Sequence, residues 1–354
     1  MSGSFRWQDG ERIILFGRGM LGEVPGLLGE GYTLLSTERA LAAARELAGG
    51  AELAGAAARV ELVPAGQVDE LAAELRAAHR ELFGGDGEAV VGGGELLVAL
   101  GGGRVIDVAK ALAAAAPPSR VAAIPTTLSG AEMTSIHRHA TGVEASAARV
   151  RPAYAVNDPR LSASQPPAEL ARSAANALGH VADGLVTPLS NPVATMAALR
   201  AARLIAEGLK LGGPGCGDVA ASERERLALG ALLAGYVIGS SGFGLHHVLA
   251  QTLARFAPVS HGAANAAMLP HSLRALQARF PGAIASLAEP LGGDPPLVAA
   301  RLAALGEASH LSELGVSETQ LERCLEEAAA RPELHMTPPA PDAAELRALY
   351  RAAF

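Results

Sequence analysis

An α/β N-terminal domain followed by an all-α C-terminal domain is the fold class that this 354-residue sequence predicts. Three observations carry that reading. Short apolar runs alternate with helical stretches through the first part of the chain, the pattern of a parallel sheet covered on both faces. Beyond about residue 158, alanine and leucine recur at helical spacing and strand-like runs disappear. Between the two lies "YAVNDPRLSASQPP", rich in proline and serine, as domain junctions are. The division predicted is 1–160 and 161–354.

Taken in order, "RIILFG" at 12–17 and "YTLLST" at 32–37 read as buried strands, separated by "RGMLGEVPGLLGEG", a short helix punctuated by glycine. "ALAAARELAGGAELAGAAA" is helical in composition and "RVELVPA" at 59–65 is a strand. A helix is predicted over 68–83, with Leu71, Leu75, Ala78 and Leu82 on one face. "ELLVALGGG" at 95–103 is a strand running into glycines, "RVIDVAKALAAA" opens a helix, and "RVAAIPTT" at 120–127 is a further strand. The glycine-rich pieces "GGDGEAVVGGGE" and "LGGPGCGDVA" read as surface loops.

Composition excludes several classes. A net charge of −7 without a basic run argues against a nucleic-acid surface. Apolar residues make up 49% and aromatic ones only 3%, so the cores are aliphatic. The start lacks the apolar region of a signal peptide, and no stretch of about 20 apolar residues suggests a membrane span. The two cysteines, Cys216 and Cys324, lack metal-ligand spacing and make no disulfide framework. A cytoplasmic protein that binds no nucleic acid and no membrane is expected.

Chemistry concentrates in two places. Gly101, Gly102 and Gly103 stand at a strand's carboxyl end, directly before a helix that carries Asp107 and Lys110 in its first turns. Glycines there let backbone amides approach a phosphate, and the helix start adds partial positive charge. The same segment reads equally as a tight βα turn. Thr126, Thr127 and Ser129 follow another strand end and could supply hydroxyls to a diphosphate or ribose. The usual G-x-G-x-x-G dinucleotide fingerprint is absent, and "LFGRGMLG" at 15–22 resembles it only in part.

In the helical half, Asn176 and His180 are four residues apart on one helix face, and so are His247 and Gln251. Fourteen residues after His247 comes His261, and Pro258 breaks the helix between them, which lets the chain fold back. The pattern predicts a shared site for His180, His247 and His261. His246 would project about 100° from His247, so the two neighbours cannot both face it. His79, His310 and His335 read as solvated, while His137 and Arg138 could bind an acid or belong to a surface loop.

Together "LFGRGMLGEVPGLL", "GGGRVIDVAKA", "IPTTLSGAEMT", "VNDPRLSASQPP", "NALGHVADGL" and "HHVLAQTLARFAPVSHGAANAAMLPH" resemble the iron-containing alcohol dehydrogenase family, in the family's order. The resemblance implies the dehydroquinate synthase-like fold of that family: a nucleotide-binding α/β domain and a helical domain, with the active site in the cleft. Within the family the chain is similar to the maleylacetate reductase branch, on Asn176 in place of the first Asp ligand, on "ST" at Ser36 and Thr37, and on "EMT" at Glu132 to Thr134. It implies reduction of a small oxo-acid, maleylacetate to 3-oxoadipate, by NADH or NADPH in a homodimer. A metal-dependent alcohol dehydrogenase, and a family member recruited to specialised biosynthesis with altered or non-redox chemistry, are the alternatives.

By the same resemblance, Thr37, Gly101, Gly102, Gly103, Arg104, Asp107, Thr126, Thr127 and Ser129 bind NAD or NADP. Thr37 replaces an Asp that repels the extra phosphate of NADP, so either cofactor is expected. The family's metal-ligand positions fall on Asn176, His180, His247 and His261. A zinc or iron ion there is left open, and the reductase branch implies that it is not obligatory. Without it, the histidines would donate hydrogen bonds to a carboxylate or a developing enolate. The chain departs from the pattern at Gln251, where a proton-relaying histidine is usual, and at Arg104, Leu128, Ala131 and the "TPPAP" of 337–341. An amide does not titrate near neutrality, so Gln251 can orient a group but cannot relay a proton.

Overall fold

The computed structural model of the protein describes residues 3–83, 95–211 and 219–354. Most of the two glycine-rich segments read as loops, and Cys216, lie outside the described residues. The chain divides into two compact units, Met1–Ser164 and Gln165–Phe354.

The first unit is built on a seven-stranded sheet: β1 (Phe5–Asp9), β2 (Arg12–Phe16), β3 (Thr33–Ser36), β4 (Arg59–Leu62), β5 (Leu96–Gly101), β6 (Arg120–Pro125) and β7 (Tyr154–Asn157). Their order is β1-β2-β7-β6-β5-β3-β4, parallel throughout except for the antiparallel β1–β2 edge hairpin. Period-two alternation explains the two-sided cover. Leu34, Val98, Leu100, Ala122 and Ile124 face one core, while Leu35, Leu97, Ala99, Val121 and Ala123 face the other.

Counting only helices of eight or more residues, α1 (Glu38–Arg45) follows β3, α2 (Val68–Ala78) follows β4 and α3 (Gly103–Ala115) follows β5. Ala40 and Ala44 of α1 pack into the first core, and Val105 to Ala113 of α3 into the second. The helices leaving the paired strands β3 and β5 therefore cover opposite faces, which makes the carboxyl ends of β3 and β5 a topological switch point.

The structure corrects the sequence reading in three places. The helix expected over 68–83 stops at Ala78, which is exposed, and resumes as Arg80–Phe83. His79 leaves helical geometry and its imidazole lies 2.9 Å from the Glu61 carboxylate, so a tertiary contact overrides local propensity. It is thus not simply solvated. The β1–β2 hairpin was signalled by Asp9-Gly10, with Gly10 at φ 61°, and was missed because the run before it is polar. β7 was missed for its brevity.

The second unit is helical: α4 (Pro167–Val186), α5 (Pro192–Leu209), α6 (Ala221–Ser241), α7 (Leu245–Phe256), α8 (His261–Arg279), α9 (Pro295–Leu305), α10 (Glu318–Ala329) and α11 (Ala343–Ala353). No strand occurs in it among the described residues. No single described helix is long and apolar enough to cross a membrane; the pair α6–α7, which has the length and composition, is bent by 104° and mostly buried in the unit.

Candidate active site

The switch point gathers the residues expected to hold a cofactor. Thr37 caps α1, its side-chain oxygen accepting from the Ala40 amide at 3.2 Å. Gly102 caps α3 with no side-chain hydrogen bond, leaving the first amides of that helix for another acceptor. None of the three glycines has a positive φ, so their role is close approach. A Cβ on Gly102 would lie 3.1 Å from Cγ2 of Thr127, and one on Gly103 would lie 3.0 Å from Cβ of Ser129. The "TTLS" loop thus sits directly on the glycine turn, held there by the Thr126 amide donating to the Gly101 carbonyl at 2.9 Å. Arg104 is exposed at the second position of α3.

Asp107, expected at the cofactor, makes an ion pair within α3. Its carboxylate lies 2.8 Å from Nζ of Lys110, which is wholly buried and also donates to the carbonyls of Ala131 (3.0 Å) and Ile136 (2.9 Å). The pair fastens the loop carrying "EMT" to α3. Within that loop Glu132 is buried, and burial lifts its carboxyl to about 7. His137 is neither loop surface nor ligand. It is buried, its Nε2 accepts from the Val150 amide and its Nδ1 pairs with the Arg138 carbonyl, both at 3.0 Å. Arg138 is exposed.

In the helical unit, α4 presents Asn176, His180 and Asp183 at i, i+4 and i+7, and all three are buried. His247 of α7 stacks on His180 with ring centroids 4.8 Å apart and planes 23° from parallel. Its Nδ1 lies 2.9 Å from Asp183, which also accepts the backbone amides of His246 (3.2 Å) and His247 (3.1 Å). Asp183 escaped the sequence reading, although it continues the polar stripe of Asn176 and His180. His247 Nε2 and His180 Nδ1 have no hydrogen-bond partner among the described residues.

His246 turns away, as its helical offset requires. Its ring stands 89° to that of His247 and pairs with Ser272 Oγ (2.7 Å) and Asn265 Oδ1 (3.0 Å). Asn265 in turn donates to the His261 carbonyl at 2.8 Å, which explains the spacing in "HGAAN". Beyond Pro258 the chain turns and restarts at Ser260, whose hydroxyl accepts from the Ala263 amide. His261 opens α8 as an exposed residue, yet desolvation of its ring pushes it down to about 4, and it stands near enough that protonating it lowers the basicity of both His180 and His247.

Burial keeps these imidazoles neutral. His180 is held well below its ordinary value by desolvation and then by His247, His261 and His246. His247 is pushed down to about 3 by burial, then by His261 and Arg331. A neutral His247 whose Nδ1–H donates to Asp183 presents a lone pair at Nε2.

The remaining residues of the site follow from α7. Gln251, half-buried one turn beyond His247, accepts from Nη2 of Arg331 at 3.0 Å. Gly179, next to His180, is what lets α7 approach α4: a Cβ there would lie 2.4 Å from the His246 ring.

The positions implied for a metal were tested against this geometry. Among the described residues no three His, Cys, Asp or Glu side chains are arranged to hold an ion. Two imidazole ligands of one ion aim nitrogens at a common point about 2.0–2.1 Å away, whereas His180 and His247 lie nearly face to face. Asn176 adds a neutral amide oxygen where a carboxylate would offset an ion's charge. As placed, the set does not fit a metal.

A doubly wound α/β unit with a glycine turn at its switch point, joined to a helical unit with buried histidines, is the architecture of a two-domain oxidoreductase. The profile of the "Fe-containing alcohol dehydrogenase family, C-terminal" matches residues 170–354, and the chain belongs to that family. It is 35% identical to "Maleylacetate reductase 2" of Cupriavidus pinatubonensis over 57% of this chain and 56% of that protein. It is 31% identical to the maleylacetate reductase of a Rhizobium species over 74% of each. The crystal structure of maleylacetate reductase from Agrobacterium tumefaciens superposes with a TM-score of 0.78 at 29% identity, covering 100% of this chain and 99% of that one.

Proposed function

We propose that the protein is an NAD(P)H-dependent reductase of a small unsaturated oxo-acid, with maleylacetate as substrate and 3-oxoadipate as product. The observation that carries it is the buried His180–His247 pair backed by Asp183, a proton-handling device in the unit that the family profile matches. The similarity to maleylacetate reductases supplies the substrate class.

The cofactor fits the α/β unit. Gly102 and Gly103 let the Thr127–Ser129 loop close onto the start of α3, whose uncapped amides and helix dipole would face a diphosphate in the space beside them. Thr127 and Ser129 border that space, and Thr37 and Arg104 stand at the same switch point, where dinucleotides bind in such sheets. Bound there, the nicotinamide supplies the hydride.

The helical unit would manage charge and the proton. Hydride adds to the alkene carbon β to the ketone, the electron pair moves onto the carbonyl oxygen as an enolate, and the α-carbon then takes one proton. In the resting structure His247 is neutral because burial makes the cation costly, and His261 and Arg331 add to that cost. An adjacent oxo-acid anion would add its negative charge to that of Asp183 and favour the protonated form. Asp183 holds the Nδ1 side throughout, so the proton enters and leaves at Nε2, and water replenishes it. His180, stacked on the same ring, and Asn176, one turn before it on α4, would position the anion. A buried free Cys324 and a reduced nicotinamide suit the cytoplasm. A homodimer is the expected assembly, and light scattering reads it.

Purified protein mixed with maleylacetate and NADH, then NADPH, tests the reading through loss of nicotinamide absorbance. One proton and one cofactor consumed per product supports it. A flat trace with both cofactors, at protein concentrations where fluorescence shows cofactor bound, overturns it.

A further inference from the structure

We propose that Arg331 is the carboxylate anchor of this site, with Gln251 as its positioning residue, so that the enzyme selects dicarboxylic oxo-acids over neutral carbonyl compounds. The inference rests on the reductase reading above and deepens it.

Gln251, one of the departures from the family pattern, supplies the first observation. Gln251 shares a face of α7 with His247, and its Oε1 accepts from Arg331 Nη2 at 3.0 Å. A neutral amide there holds the guanidinium without adding a charge to the Arg331–Glu333 ion pair. A histidine at the same place would repel it whenever protonated.

Second, the guanidinium is anchored and close to the histidine pair. Its Nε and Nη2 each lie 2.9 Å from a Glu333 oxygen. Its carbon stands 5.9 Å from the Phe243 ring centroid, and Phe243 stands 6.0 Å from His247. With those two nitrogens engaged, Nη1 is the edge for which the described residues supply no hydrogen-bond partner. The arginine side chain is only 20% exposed, so a fixed donor remains in a largely dry place, where a charge-assisted bond is strong.

Third, the segment is locked to the site. Thr337 Oγ1 accepts from the Leu245 amide at 2.9 Å, and Gly244 has no room for a Cβ beside that hydroxyl. Arg331 therefore keeps its register with the start of α7. A dicarboxylic oxo-acid would place one carboxylate on Nη1 while its conjugated carbonyl faces the imidazoles.

The test compares R331Q, R331K and Q251E with the wild type. Calorimetry with maleate reads anion binding without turnover, and steady-state kinetics reads maleylacetate against an uncharged enone of similar size. R331Q is expected to weaken maleate binding and raise the maleylacetate KM by about 10- to 100-fold, with a penalty for the uncharged enone at least fivefold smaller. R331K, which keeps the charge and loses the planar fork, should fall between. Q251E retains an acceptor for Arg331 but adds a negative charge, so it should raise the maleylacetate KM; a merely structural role for Gln251 would leave it unmoved. Unchanged maleate affinity in R331Q, or equal penalties for charged and uncharged substrates, overturns the proposal. A wild type that binds maleate through Arg331 yet reduces nothing would refute the reductase reading alone.

Discussion

Replacing Gly179 by alanine sets two effects of opposite sign against each other. In an ordinary helix interior the change stabilises by about 1 kcal/mol through helix propensity. Here the added Cβ would lie 2.4 Å from both Cδ2 and Nε2 of His246, and 3.3 Å from Cε1 of His247. The His246 ring cannot move aside freely, because Ser272 and Asn265 hold its two nitrogens. Overpacking costs about 1–3 kcal/mol, and a buried hydrogen bond broken by the shift costs about 1–3 kcal/mol more. The net is a loss of about 1–5 kcal/mol, with about 3 as the central value once the propensity gain is subtracted. In a unit of this size that lowers the melting temperature by about 6–12 °C. Thermal melts followed by circular dichroism, with kcat/KM on the same preparations, read both consequences. Because His247 moves with its neighbour, kcat/KM should fall along with Tm. A double-mutant cycle with H246A isolates the clash, which should make the pair less costly than the sum of the singles. G179A with unchanged or raised stability would refute the account of how α4 and α7 meet.

Asp183→Asn keeps the shape behind His247 but releases the Nδ1 proton, so kcat should drop about 10²–10⁴-fold; a loss below about threefold in single-turnover assays would remove Asp183 from the proton path. Burial depresses His246 and His247 to about 3, below the ordinary value near 6.5. The unfolded chain therefore takes up these protons first, and the stability present above about pH 6.5 is lost as pH falls toward about 3. Urea unfolding at a series of pH values should show that decline, shallower in H246N; a flat profile below pH 6.5 would contradict their burial as neutral rings. Gly103→Ala pushes the Ser129 loop off the turn by a few tenths of an ångström and should weaken NADH and NADPH binding in fluorescence titration, whereas equal affinities would place the diphosphate elsewhere.

Much of the architecture was legible because it rests on local periodicity. Buried parallel strands read as apolar runs such as "ELLVALG", and α4, α7 and α8 announce themselves through alanine-rich spacing, a proline break and the Ser260 cap. Motif order then supplied the family. What stayed hidden were partnerships between distant residues. Nothing local says that the lysine paired with Asp107 reaches the loop of residues 131–136, and His137 looks available until Val150 and Arg138 occupy its ring. Asp183 was within reach of the helical stripe Asn176, His180, Asp183, yet nothing local says that it faces the amides and imidazole of another helix.

By itself, the sequence determined where most helices and the buried strands run, which residue types stand at strand ends and on helix faces, and which family the chain resembles. Those properties depend on neighbours a few positions away. Only the tertiary structure decided that Nδ1 of His247 meets Asp183, that His180 and His247 stack where a ligand set would converge, and that Gln251 answers to Arg331. These depend on distances between segments remote in the chain, and on a burial that no single segment produces alone.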